Sequence, residues 1–405
     1  MKLVKITTAY PQYLKNYYAE HTNIETKSYL EQKNALDFDG FGWADFWSHA
    51  MKPLGYEVFE ITLNAMPMQK TWARENGMQD ADSLSPEAIV LEQVKKIEPD
   101  ILWYDYFDEK LLSRIRFEIP TVRLVLGWVG SAIPKTNVWQ NIDVILSCAP
   151  ESVDKLRRAG FNAQQLHHAF DPRINERLKN NPQIFDLTFI GQIVRGNQFH
   201  LERERILESL CSKANIQIFS PSAGITTKDI FKTFVKRQAF SVIQMLKKAN
   251  VSKEIFKKIP KVYQIYNWAE KPNWPVNFRL KPYIKNPVFG LDMFQVLKDS
   301  KITLNIHADS SPEYASNMRL WEATGVGTCL ITDWRKNLNE LFIPDKEIVT
   351  YKSVDECVEK VKWLLEHPAE CQEIAKAGQA RTLKEHTFSQ RAIELDEMIR
   401  KELKL

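Results

Sequence analysis

The chain reads as a doubly wound α/β protein made of two domains, and three observations predict this. Apolar runs of strand length alternate with amphipathic stretches of helical period along the whole sequence. At 405 residues the chain exceeds one comfortable core, so two domains of roughly 200 residues each are expected. Hydrophobic residues at 44% and aromatics at 11% supply two packed cores and exclude a disordered or fibrous class.

The first half opens on an apolar strand at 3–7 and returns to another at 55–61, with a helix about Phe46–Leu54 between them. Leu91, Val94 and Ile97 recur at helical spacing, so 86–97 is a helix. Strands follow at 100–104, 121–126 and 143–147, and a helix over 150–159 stops at Gly160, a residue free to take the left-handed cap. Ala169-Phe170-Asp171-Pro172 then leads into a polar linker from Arg173 to Gln183, where the domain boundary is expected. The second half starts with a strand at 186–192 and continues with a helix at 201–210 and a strand at 216–219. Strands at 302–307, 328–332 and 347–351, a helix about 354–366 and a final helix at 390–403 complete it. This partition predicts an N-terminal domain over 1–180, a C-terminal domain over 181–390 and a terminal helix over 391–405.

Composition narrows the setting. The N-terminus lacks the apolar stretch of about 7–15 residues that a signal peptide needs, and no uninterrupted apolar run approaches the ~20 residues of a membrane span. Five scattered cysteines without metal-ligand spacing suit a reduced, cytoplasmic environment. One segment breaks the pattern. Between Lys228 and Lys285 there are fourteen basic and three acidic residues, an excess of +11 against +4 for the whole chain. Phe231, Phe234, Val235, Phe240, Ile243 and Leu246 interleave with these charges at partly helical spacing. Such an insertion is a solvated, lysine-rich helix packed by its apolar side, a peripheral contact for an anionic membrane surface, or a grip on an acidic acceptor. No nucleic-acid motif accompanies the charge.

The densest chemistry lies in Ser316–Asp333. A hydrophobic strand ending in His307 runs into a polar loop, Ala308 to Tyr314, and then into Asn317, Arg319 and Glu322. An amide, a guanidinium and a carboxylate thus fall within six residues, before Gly325 and Gly327 turn the backbone into the next strand. Open α/β sheets bind ligands at the carboxyl ends of their strands, where this arrangement places the three groups. The plain alternative is an ordinary i,i+3 ion pair between Arg319 and Glu322 on an exposed helix face.

The order of these pieces resembles the C-terminal half of GT-B glycosyltransferases, of the group-1 (family-4-like) and spore-maturation-protein-like CgeB type. The resemblance rests on Asn317-x-Arg319-x-x-Glu322-Ala323 with its following glycine, the strand bearing Thr332-Asp333, the turn Ile374-Ala375-x-x-Gly378, and His386-Thr387-Phe388-x-x-Arg391. It is specific from roughly Asp186 to Leu405 and weaker before. It implies two Rossmann-like domains facing a cleft, with the last helix crossing back to the first domain. It implies an enzyme that moves a sugar from a nucleotide-sugar such as a UDP- or GDP-sugar, with no cofactor or metal, onto a glycan, lipid-linked or protein acceptor. Surface polysaccharide synthesis is the expected setting. A sugar-nucleotide epimerase or hydrolase on the same scaffold, or a non-catalytic nucleotide-sugar-binding scaffold, is the alternative.

Such a donor defines the roles. Charge developing on its diphosphate calls for a fixed guanidinium, with Arg319 first and Arg195 second, and for close backbone approach at Gly191. The resemblance gives Glu322 the ribose hydroxyls, and Asn317 a phosphate or sugar hydroxyl, with Gly325 beside them. The family pattern Glu-x7-Glu would need a glutamate at 314, where this chain has Tyr314; either the loop is shifted and Glu313, one residue away, serves as the catalytic carboxylate, or that role is absent. His307, at a strand end, is placed to reach the donor. On the acceptor side the expected loops are 7–11, with Tyr10, and 37–43, with Asp39, Gly40 and Trp43. Asp39 is the candidate general base. Trp43, Trp47, Trp103 and Trp128 offer surfaces for sugar stacking. Asp37 and Asp39 spell Asp-x-Asp, but a GT-B scaffold argues against a metal there.

Overall fold

The computed structural model describes residues 1–130, 132–193, 195, 201–307 and 311–405. It contains two six-stranded parallel sheets covered by helices. The first comprises β1 (Lys2–Thr7), β2 (Glu57–Thr62), β3 (Ile101–Tyr104), β4 (Leu124–Val129), β5 (Val144–Ser147) and β6 (Ala163–Gln165). The second comprises β7 (Phe185–Ile190), β8 (Ile216–Phe219), β9 (Ile284–Lys285), β10 (Ser300–Asn305), β11 (Cys329–Asp333) and β12 (Val349–Tyr351). The class predicted from alternation is the class observed. Strands β3, β4 and β5 are buried along their whole length, as expected for central parallel strands covered on both faces.

Strand order runs β2-β1-β3-β4-β5-β6 in one sheet and β12-β11-β10-β7-β8-β9 in the other. Each order reverses once, between β1 and β3 and between β7 and β10. At such a switch the following loops diverge to opposite faces and leave a crevice at the carboxyl edge. The two carboxyl edges face each other. Glu151, just beyond the end of β5, accepts hydrogen bonds from Ser311 Oγ (2.7 Å), Glu313 N (2.9 Å) and Tyr314 N (3.1 Å), beyond the end of β10.

One apolar cluster runs through both halves, from Leu3, Trp47 and Trp103 through Phe170 to Trp321, Leu330 and Phe388. The terminal helix Phe388–Leu403 packs against the helix Phe46–Met51, with the Phe46 and Phe388 ring centroids 5.1 Å apart and Tyr56 donating to Asp396 (2.7 Å). Two local expectations are corrected. The polar linker begins as a helical turn, Arg173–Arg177, in which Arg173 binds Asp45 through both terminal nitrogens (2.9 and 3.0 Å) and also pairs with Asp171. Gly378 makes no turn. It lies inside the helix Pro368–Glu385, where a Cβ would meet the Glu347 carbonyl oxygen at 2.3 Å, so glycine there allows close helix packing.

Candidate active site

Arg319 begins the helix Arg319–Gly325 and Glu322 completes its first turn, so the two are i,i+3 neighbours and pair at 2.9 Å. The plain ion pair is therefore real, but it is not on a surface. The side chains are only 13% and 11% exposed. Arg319 Nη1 also contacts Met293 Sδ (3.3 Å), while its Nε is buried without a partner. Burial raises the Glu322 carboxyl, and the Arg319 guanidinium opposes that shift. Across the cleft stands Tyr10, edge-on to Phe41. Desolvation and then the Glu322 carboxylate raise its phenol, so the two groups lie within electrostatic reach.

A second array continues from Arg319 toward β10. Asn317 Nδ2 donates to Asn305 Oδ1 (2.8 Å), and Asn305 Nδ2 donates to Thr332 Oγ1 (2.9 Å). Asp333 Oδ1 takes His307 Nδ1 (2.7 Å) and the His307 backbone N–H (3.0 Å), and Asp333 Oδ2 pairs with Arg335 (2.5 Å). Burial pushes the Asp333 carboxyl up, but His307 and Arg335 outweigh it and leave it below the ordinary value. With Nδ1 engaged by Asp333, Nε2 is the ring nitrogen left to meet a ligand. That Nε2 and Asn317 Oδ1 are both buried without partners. Buried polar atoms are nearly always hydrogen-bonded, so orphans clustered at one strand edge mark where a ligand's hydroxyls or oxygens belong.

Other expected donor residues have different surroundings. Arg195 pairs with Glu204 (2.6 Å) and donates to the Val276 carbonyl (2.7 Å), which ties down the segment after β8. The Gly191 N–H is used by the Phe219 carbonyl (3.1 Å), and a Cβ there would meet the Phe189 ring at 3.1 Å. Gly325 faces Phe170, whose ring a Cβ would strike at 2.3 Å, and its carbonyl accepts from Asn175 and Gln379. Its role is close packing. The tight turn belongs to Gly327 alone, at φ +84°. Glu313 is half exposed and bound to Lys336 (2.7 Å). Positions 308–310 of the expected polar loop lie outside the described residues.

The acceptor side also differs from expectation. Asp39 accepts from Tyr13 Oη (2.8 Å) and from Leu291 N (3.4 Å), and it fills the space above Gly290, where a Cβ would meet its Oδ2 at 2.0 Å. It joins the two halves, and desolvation raises its carboxyl while the Tyr13 and Leu291 donors oppose that shift. Asp37 is bound by Lys33 (2.5 Å), which separates it from Asp39 in function as well as in partner. Gly40, at φ +70°, packs against Ile174. Trp47, Trp103 and Trp128 are core residues. Trp43 alone of the four keeps some surface, and it lies 4.5 Å from the Nζ of Lys5.

The residue missed was Asp105. It follows β3 at the first sheet's switch point, where Thr7 Oγ1 donates to its Oδ2 (3.4 Å). Burial raises its carboxyl to about 6, with the Lys5 ammonium opposing. Lys5 is itself buried in β1, its pKa lowered by desolvation, beside Glu60, whose carboxyl burial lifts to about 8. A lysine inside an apolar strand was the available signal, because such a charge needs buried carboxylates around it.

Residues 243–397 match the model of a family described as glycosyl transferase-like. No curated protein matches the chain by sequence. HepE of Anabaena, in complex with UDP-glucose, is similar in structure with a TM-score of 0.53 over 99% of this chain and 100% of that one, at 12% identity. An alpha-glucosyltransferase in complex with UDP-glucose and DNA containing an abasic site gives 0.55 over 98% and 99%, also at 12% identity. A glycosyltransferase from Rickettsia africae gives 0.52 over 100% and 98%, at 10% identity. These likenesses establish the class: a two-sheet α/β chain of GT-B fold. The stretch that matches the glycosyl transferase-like model includes Asn317, Arg319 and Glu322.

Proposed function

We propose that the chain is a metal-independent hexosyltransferase of the group-1, CgeB-like type. It uses a nucleoside diphosphate sugar, such as a UDP- or GDP-sugar, and serves surface polysaccharide synthesis on a glycan, lipid-linked or protein acceptor. The observation that carries this reading is the buried Arg319–Glu322 pair beside the unpartnered Asn317 Oδ1 and His307 Nε2. The complexes of HepE and of the alpha-glucosyltransferase with UDP-glucose support the donor class. In this reading Arg319 meets the charge left on the diphosphate when its bond to the anomeric carbon breaks. Glu322 accepts from the ribose hydroxyls, Asn317 Oδ1 accepts from a donor hydroxyl, and His307 Nε2 meets a donor hydroxyl or oxygen. Asp105 takes the proton of the acceptor hydroxyl as that oxygen attacks. Five free cysteines support a reducing, cytoplasmic setting.

The test is nucleotide release from a panel of UDP-, GDP-, dTDP- and CMP-sugars, with and without candidate acceptors. Release accompanied by transferred sugar is expected for at least one donor. Release without transfer would assign the chain to the epimerase or hydrolase reading. Binding without release throughout would make it a nucleotide-sugar-binding scaffold, an outcome motivated by the pairing of Glu313 with Lys336.

A further inference from the structure

The helix Thr227–Lys248 leaves the carboxyl edge of the second sheet just after β8, capped at Thr226 by a capping box with Asp229. Its inner side is settled. Phe240 and Ile243 are buried, Arg237 lies over Trp274 (4.9 Å), and Lys247 lies over Tyr266 (3.9 Å). Its outer side is not. Phe231, Phe234, Val235, Val242, Met245 and Leu246 are all exposed, Met245 to 70% and Phe231 to 64%. At 100° per residue these six positions fall on one arc of roughly 120°, interrupted in mid-helix only by Gln238. An apolar stripe of that length left in water marks a docking face.

Charge selects the occupant. The helix holds six basic residues against one acidic residue, Asp229, whose carboxylate is engaged by the Thr226 cap. With Arg237 and Lys247 committed inward, Lys228, Lys232, Lys236 and Lys248 are exposed around the stripe. A second copy pressed against this face would bring like charges together. The adjoining turn adds exposed Ile255 and Ile259 among Lys253, Lys257, Lys258 and Lys261. No helix among the described residues is long and apolar enough to cross a membrane. The geometry points to an in-plane anchor: the stripe enters the headgroup boundary of an anionic bilayer while the lysines meet its charge.

Position gives the contact a consequence. The segment is fastened beside the donor edge, where Arg195 holds the Val276 carbonyl (2.7 Å) and Asn277 donates to Glu204 and Glu208 (3.0 and 2.6 Å). Docking would hold the mouth of the cleft against lipid, which suits a lipid-linked acceptor. That last step rests on the transfer reading; the anchor itself does not.

Co-sedimentation of the full chain is the test, with vesicles of phosphatidylcholine alone and of an equal mixture with phosphatidylglycerol. Binding at least about tenfold stronger to the anionic vesicles, and weakened by salt, is expected. The triple variant Phe231→Glu, Phe234→Glu, Met245→Glu should lose that binding. Its melting curve and its nucleotide release should match the parent, since all three side chains are exposed and remote from Arg319 in sequence. A companion variant, Lys228→Gln, Lys232→Gln, Lys248→Gln, should lose only the anionic preference. Absence of vesicle binding, or binding that survives the triple variant, overturns the anchor. So does concentration-dependent dimerisation that the triple variant abolishes, because the face would then belong to a second copy. Loss of nucleotide release in the parent chain would defeat the transfer reading and leave the vesicle result standing.

Discussion

The two carboxyl edges of this protein are built on the same topology but stocked differently. The edge of the second sheet carries neutral amides, an imidazole and a buried Arg–Glu pair, with several atoms left without partners. The edge of the first sheet carries charge that is internally balanced: Lys5 beneath Trp43, with Glu60 and Asp105 near it. Buried polar atoms left without partners carry a cost that a ligand's hydroxyls or phosphate oxygens would relieve, so they suit recognition. A carboxylate whose pKa is lifted toward neutrality by burial suits proton transfer. On the proposed function, recognition falls to one edge and proton handling to the other.

Removing the guanidinium should break that contrast most sharply. Arg319→Ala is expected to lower kcat by about 10³-fold, the scale of losing a main electrostatic contact to developing charge. Because the change also strands Glu322, the double variant Arg319→Gln, Glu322→Gln provides the folding control, and its melting curve should stay near the parent's. Near-parental turnover in either variant removes the site from the second sheet's edge. Next comes Asp105→Asn, expected to reduce kcat by about 10²-fold. A base must be unprotonated, so parental kcat should climb as pH rises through about 6 and then level off, and the variant should lose that limb. Asp39→Asn serves as the comparison. It should retain the limb, because Asp39 is held by Tyr13 and Leu291, and loss of the limb there would return the base to Asp39.

The smallest effect sharpens how the halves are joined. His167, His168 and His386 surround Trp321 with ring centroids 5.9, 6.2 and 6.1 Å away. Burial lowers their pKa values to about 4, about 3 and about 4, and His386 Nδ1 already accepts from Arg391 (2.9 Å). Between those values and the ordinary 6.5 the unfolded chain binds more protons than the folded one. Their contribution is therefore complete above about 6.5 and is lost as pH falls toward 4. The melting temperature should drop by a few degrees between neutral pH and about pH 5, and His168→Gln should lessen the drop. Glu60 and Asp105, raised rather than lowered, act in the opposite sense but equally in both proteins. An unchanged drop would mean that the seam does not titrate.

Much of the fold was legible because it is written in local pattern. The buried runs of β3, β4 and β5 and the glycine-closed step from Arg319 into β11 are each contained within a few residues. The surroundings of the candidate residues were legible only in part. That Arg319 and Glu322 share a helix turn follows from their spacing; that the pair is buried against Met293 does not. Asp39 read as a free carboxylate in a glycine-rich loop, and Gly325 and Gly378 read as turns. Each is explained by an atom remote in sequence: Leu291, Phe170 and the Glu347 carbonyl.

Taken alone, then, the amino-acid order settles the α/β class and the polarity of its segments, because periodicity and local conformational preference act over a few residues at a time. It also marks the Lys228–Lys285 insertion as basic and partly apolar, since charge and hydropathy simply add along a chain. Which groups are free to do chemistry is settled by folding. Leu291, which donates to Asp39, and Glu151, which holds the loop at Glu313, lie 252 and 162 residues away, and only the packed chain brings them within hydrogen-bond range. The same holds for the helix Thr227–Lys248. Its period makes it amphipathic, but packing against the rest of the insertion decides that Phe240 and Ile243 face inward while the stripe from Phe231 to Leu246 is left facing water.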